Sequence, residues 1–154
     1  NIIYSGTMSA AMEASIEGIH SIGFSLEDYA MDANFDPGTP WIRLIIEHVL
    51  SNGLADSKLL NVNIPHSSLG PIRGMKICRQ AEGRWEEEFV EGVDPRGQKF
   101  YWLTGNFATN DTVEGTDISA LREGFISIVP SSHDLTHHRA IPALKSLESI
   151  KHIV

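Results

Sequence analysis

The sequence predicts an α/β fold built on a parallel sheet, and three features carry that expectation. First, a β-prone run (Ile2, Ile3, Tyr4), a turn at Ser5-Gly6-Thr7, a helically spaced set (Met8, Ala11, Met12, Ser15, Ile19) and a short strand at 21–25 follow in strand–helix–strand order. Second, a helix with a wide apolar face (Trp41, Ile42, Ile45, Ile46, Val49, Leu50) precedes an alternating strand at 59–64. Third, the apolar run 125–129 reads as a strand buried on both faces.

Local signals mark the elements in order. The first helix is expected over 7–17, stopped by Gly18. The stretch 26–38 is polar and acidic and reads as loop or irregular helix. Thr39-Pro40 opens the second helix as N-cap and first helical residue, and Asn52-Gly53 closes it. Pro65 stops the strand 59–64, a Gly/Pro/Ser loop covers 67–74, and 75–79 is a strand. Segments 84–93 and 99–104 form a long hairpin around the β-turn Asp94-Pro95-Arg96-Gly97. It carries Trp85, Trp102, Phe89, Phe100 and Tyr101, so it needs a partner surface, on its own domain or on another subunit. After a polar loop at 106–115, Thr116 or Asp117 caps a short helix that Gly124 ends. A final helix is expected over 141–150, with Ile141, Leu144, Leu147 and Ile150 in one stripe that must dock in cis or on another subunit.

A chain of 154 residues, 42% hydrophobic and 21% charged, can bury a real core. No apolar run approaches the roughly 20 residues of a membrane span, and no signal-peptide pattern is visible, so no membrane role is expected. The net charge of −8 argues against non-specific nucleic-acid binding. It leaves room for a phosphorylated small molecule held by local dipoles. A single cysteine, Cys78, in an apolar strand-like run, reads as a buried structural thiol in a reducing, cytoplasmic setting.

Two places could carry chemistry. At Ser5-Gly6-Thr7 a helix begins with two hydroxyls and a glycine, so the turn either receives a phosphate or merely caps the helix. In the tail, Asp134 and His138 stand four residues apart, as do His133 and His137. Such a His–carboxylate pair orients an imidazole for acid–base work or closes a loop. The other histidines (His20, His48, His66, His152) stand alone and read as surface or packing residues, and Glu86-Glu87-Glu88 as a solvated stretch.

The stretch Tyr4-Ser5-Gly6-Thr7-Met8-Ser9-Ala10-Ala11-Met12-Glu13 resembles the YSGTVxAAxE stretch of the SurE family of survival-protein nucleotidases. Further likeness follows in the same order at Ile22-Gly23-Phe24-Ser25, Leu60-Asn61-Val62-Asn63-Ile64-Pro65, Arg79-Gln80, Tyr101-Trp102-Leu103-Thr104-Gly105, Thr116-Asp117-Ile118, Glu123 to Pro130, and Asp134-Leu135-Thr136. The resemblance implies a three-layer Rossmann-like core with a protruding hairpin and a C-terminal helical arm. It divides the chain into the rest of the core at 1–65, the hairpin extension at 66–110, and the final strand with its arm at 111–154.

The implied activity is metal-dependent hydrolysis of nucleoside monophosphates, with Mg2+ or Mn2+ as cofactor and a homodimer or homotetramer as the assembly. Ser5, Gly6 and Thr7 would bind phosphate, and Asp134 and His138 would support the site from across a subunit contact. The family's metal ligands, an Asp-Asp pair, a Ser and the Asn of a GxNxGxN loop, precede YSGT and are not found here, and Asn1 is not assigned as that Asn. The chain therefore reads as the C-terminal part of a SurE-like protein, without catalytic or metal residues of its own and inactive alone. A non-catalytic oligomerisation module, working through hairpin and arm, is the alternative.

Overall fold

The computed structural model describes residues 2–111 and 113–150, so His152 lies outside the described residues. The expected extended strand at Ile2–Tyr4 is instead a single 3-10 turn, in which the Ser5 N–H bonds back to the Ile2 carbonyl at 3.1 Å. A β-prone tripeptide gains nothing from extension without a neighbouring ladder, and among the described residues this one pairs with no strand. The chain runs straight from the turn into helix α1 (Gly6–Ile16).

Among the described residues six strands follow: β1 (Ser21–Leu26), β2 (Leu59–Ile64), β3 (Met75–Ile77), β4 (Arg84–Val93), β5 (Lys99–Ala108) and β6 (Ile126–Ser131). Helices α2 (Thr39–Asn52), α3 (Asp117–Arg122) and α4 (Ile141–Leu144) complete the set. The main sheet has the order β1-β2-β6-β3. It is mixed, not wholly parallel: β1 runs parallel to β2 and β3 parallel to β6, while β6 is antiparallel to β2. The βαβ unit is β1-α2-β2, so the crossover helix is α2 and not α1.

Strand alternation sorts the side chains into two layers on either side of the sheet. Leu60, Val62, Ile64, Ile126 and Ile128 form one core with Ile45 of α2, flanked by Phe24, Trp41 and Ile42. The opposite face carries Leu59 against Met8 and Ala11 of α1, and Val129 with Cys78 against Ala120 of α3. The architecture is thus three-layered, with α2 on one side and α1 and α3 on the other. Gly23 sets how closely α1 lies on β1, because an added Cβ there would stand 2.5 Å from the Met8 sulfur. The expectation that β6 is covered on both faces holds, since Ile126, Ser127, Ile128 and Val129 are all buried.

Several boundaries move for identifiable reasons. Gly38, not Thr39, is the N-cap of α2; Thr39 is already helical and its hydroxyl donates to the Phe35 carbonyl at 3.3 Å. The strand β3 ends at Ile77, because Arg79 leaves the sheet to bridge Thr116. The strand β5 extends to Ala108, four residues past the expected end, pairing in register with β4 along its whole length. The expected final helix is one α-helical turn followed by a 3-10 segment, Lys145–Ser149. Its apolar residues recur every third position, which is the period of a 3-10 helix and not of an α-helix. All four remain exposed. The hairpin is bare as well: Phe89, Trp102 and Leu103 are 65%, 67% and 56% exposed, so the described chain does not cover it.

Candidate functional site

The first turn of α1, the carboxyl ends of β1 and β2, the start of α3 and the root of the hairpin enclose a cleft of about 560 Å³. In open α/β sheets, ligands bind outside the carboxyl ends of the strands, and the cleft lies there. Its floor is the face of the sheet that α1 and α3 leave uncovered between them. That face is polar: Ser25, Asn61 and Asn63 line the cleft. The buried Ser127 hydroxyl has no partner among the described residues, and Ser127 stands opposite Asn63 in the β2–β6 ladder.

Ser5 enters the cleft as the N-cap of α1, where its hydroxyl oxygen accepts the Met8 N–H at 3.2 Å. Its own O–H remains available to donate. Gly6 and Thr7 open the helix, and their N–H groups have no intrahelical acceptor. The local sequence dictates this start: Ser is a preferred cap, and Ser9 locks the turn with backbone and side-chain bonds to the Ser5 carbonyl at 2.8 and 2.9 Å. The Thr7 side chain is exposed, with its methyl toward Gly23.

On the far side, Thr116 caps α3 in a reciprocal capping box with Ser119. Asp117 is buried, and one carboxylate oxygen accepts the Ala81 and Ile118 N–H groups, each at 2.8 Å. The carboxylate thereby ties α3 to the chain entering the hairpin, and places Gln80, Trp85 and Phe107 on the cleft wall. Spacing arguments pass over Asn61, Asn63 and Gln80, although the alternation of polar residues in Leu-Asn-Val-Asn-Ile is what aims both asparagines at one face.

Asp134 and His138 do meet. The His138 Nε2–H donates to Asp134 at 2.7 Å, and both side chains are well exposed. The Thr136 hydroxyl and N–H, then His138, hold the Asp134 carboxyl far below the usual carboxylate range. His133 and His137 do not share a helical face. His133 Nδ1 bridges to the hydroxyl of Ser15 at 2.7 Å and pins the start of the arm to α1. Burial pushes the Cys78 thiol above its ordinary pKa, in keeping with a structural role.

Among the described residues, no three His, Cys, Asp or Glu side chains converge as a cation site. At the cleft, one oxygen of Asp117 is engaged by backbone N–H groups, and Glu27 and Asp28 also line the wall.

Fold and cleft define a three-layer α/β protein with a candidate ligand cleft at the carboxyl ends of two parallel strands and beside a helix N-terminus. The chain belongs to the SurE family, whose family model, described as Survival protein SurE, matches residues 1–87. It is 52% identical over 146 residues to the 5'-nucleotidase SurE of Christiangramia forsetii, which covers 95% of this chain and 56% of the relative. The 5'-nucleotidase SurE of Flavobacterium psychrophilum is also 52% identical, over 95% of this chain and 57% of its own length. The crystal structure of the SurE protein from Aquifex aeolicus superimposes with a TM-score of 0.73 at 35% identity, covering 96% of this chain and 59% of that one. The chain thus spans a little over half the length of the curated relatives it matches.

Proposed function

We propose that the full-length protein containing this chain is a 5'-nucleotidase, a phosphatase that hydrolyses nucleoside monophosphates. The carrying observation is the Ser5-capped start of α1 opening into a cleft at the carboxyl ends of β1 and β2. The Ser5 hydroxyl and the N–H groups of Gly6 and Thr7 donate to the phosphoryl oxygens. The positive end of the helix dipole stabilises the negative charge that these oxygens carry. The names of the two relatives at 52% identity support the substrate class.

Mg2+ or Mn2+ is the implied cofactor; its ligands come from outside the described residues, and the chain alone is inactive. Asp134 and His138 act in the arm as inter-subunit support for the site. The protein works in the cytoplasm as a homodimer or homotetramer. Phosphate release from a panel of nucleoside monophosphates by the full-length protein, with and without chelator, tests this reading. Absence of chelator-sensitive release overturns it.

The uncovered hairpin and arm favour a second reading, in which the chain itself is a non-catalytic oligomerisation module. Sedimentation of the 154-residue chain separates the two aspects: a folded, soluble monomer overturns the module reading.

A further inference from the structure

We infer that the root of the hairpin is the nucleobase subsite, with Trp85 and Phe107 stacking on the base and Asn61 and Asn63 reading its edge. The inference rests on the nucleotidase reading of the same cleft. A phosphate at the start of α1 needs only a small part of about 560 Å³, a volume within the range of small-molecule sites. The remainder of the lining is mixed: the carboxylates Glu27, Asp28 and Asp117 and several aliphatic side chains stand beside the aromatic rings and the neutral amides of Asn61, Asn63 and Gln80. The rings and amides together suit a base, which has apolar faces and hydrogen-bonding edges.

Trp85 and Phe107 are directly opposite one another across the β4–β5 ladder and both line the cleft. They are 44% and 38% exposed, so each offers ring surface to a ligand. Two glycines seat them. An added Cβ at Gly105 would stand 2.6 Å from Trp85 Nε1, and one at Gly83 would stand 2.4 Å from Phe107 Cζ. The rings therefore lie over glycine backbone, in space that a side chain at residue 83 or 105 would take from them.

Asn63 Nδ2 donates to the side-chain amide oxygen Oδ1 of Asn61 at 3.2 Å. No other side-chain hydrogen bond among the described residues uses either amide, so Asn61 keeps its NH2 and Asn63 its carbonyl oxygen for a ligand. A donor and an acceptor side by side on one strand face complement the adjacent acceptor and donor on a base edge. Stacking tolerates any base, so the aromatic pair supplies affinity and the asparagine pair supplies preference.

The test uses the full-length protein and two readouts. The first is equilibrium binding of adenosine, which has no phosphate to be hydrolysed. Trp85→Ala is expected to weaken it about 5- to 150-fold, while Trp85→Phe, which keeps a ring, restores most of the loss. The second is the ratio of kcat/KM for AMP to that for ribose 5-phosphate, which keeps the sugar phosphate and lacks the base. That ratio is expected to fall by the same factor in Trp85→Ala. An unchanged ratio, with both substrates losing equally, overturns the subsite and assigns Trp85 to folding or assembly. Absence of adenosine binding by the unaltered protein also overturns it. Adenosine binding that depends on residue 85, in a protein that hydrolyses no monophosphate, supports the base subsite while refuting the nucleotidase reading.

Discussion

Arg79 grips Asp111 with both ends of its guanidinium, Nη1 to Oδ2 at 2.6 Å and Nη2 to Oδ1 at 2.8 Å. Asp111 also accepts the Glu82 N–H at 2.9 Å. One carboxylate thus joins the exit of β5 to the chain leading into β4. Arg79 is at the same time bridged to Thr116, the cap of α3. The pair closes the base of the hairpin and so fixes the wall on which Trp85 and Phe107 stand.

The first prediction is an acid-sensitive lock. Arg79, then the Glu82 N–H, hold the Asp111 carboxyl far below the usual carboxylate range. A carboxyl depressed in the folded state adds stability that is complete above the ordinary value, about 4. That stability is lost as pH falls toward the depressed folded value. Asp111→Asn should therefore lower the midpoint of thermal unfolding at pH 7 and flatten its dependence on pH below about 4. Melting curves from pH 2 to 7 check this; parallel acid limbs for variant and parent contradict it.

The second concerns Gly105. Its φ is 156°, and an added Cβ would come 2.2 Å from the Glu86 carbonyl oxygen as well as 2.6 Å from Trp85 Nε1. The neighbour is backbone, so the strands must shift. Gly105→Ala is expected to cost about 1–3 kcal/mol and to alter Trp85 fluorescence in the native state. Urea unfolding followed by tryptophan emission measures both, and an unaltered spectrum and midpoint would contradict the geometry.

What the sequence disclosed follows where its signals were local. The bounds of β2 are legible because alternation begins at Leu59 and Pro65 stops it. The start of α3 is legible to within one residue, because Thr116 and Asp117 are both good caps; the Ser119 hydroxyl, closing the box with Thr116, decides between them. Ile2–Tyr4 misleads because β-propensity describes fitness for a sheet, and whether a partner strand lies beside it is not local. The arm misleads because a three-residue apolar repeat also fits one stripe of a short α-helix. Ser5 and Asp134–His138 are visible as spacings, but the cleft is not. It depends on Asn61, Asn63, Gln80 and Trp85 converging from three separate elements, which spacing cannot express.

A third prediction tests how the arm is held. Ser15 is fully buried, and His133 is the partner of its hydroxyl, at 2.7 Å. His133→Ala leaves a buried hydroxyl without that partner, which costs about 1–3 kcal/mol. Ser15→Ala removes the hydroxyl itself and should cost less, because no polar group is stranded. In the same variants, limited proteolysis within residues 132–140 should accelerate, more for His133→Ala. Equal stability and equal cleavage rates would show that the arm is held elsewhere.

The fourth separates the observed role of Ser5 as helix cap from its proposed role as phosphate ligand. Its hydroxyl oxygen accepts the Met8 N–H, so Ser5→Ala should lower stability by about 1 kcal/mol, whereas Ser5→Gly should lower it by only a few tenths. In the proposed nucleotidase reading, phosphate binding uses the hydroxyl as a donor, and both variants lack it. A hydrogen bond to a charged group is worth about 1.5–3 kcal/mol. Hydrolysis of AMP by the full-length protein should therefore fall by about 10- to 150-fold in kcat/KM in both variants alike. Thermal melts and kinetics on the same samples decide between the roles. If activity tracks stability, with Ser5→Gly nearly normal and Ser5→Ala impaired, the hydroxyl is a cap alone. If activity falls equally while stability differs, Ser5 is a ligand of the phosphate as well as the start of the helix.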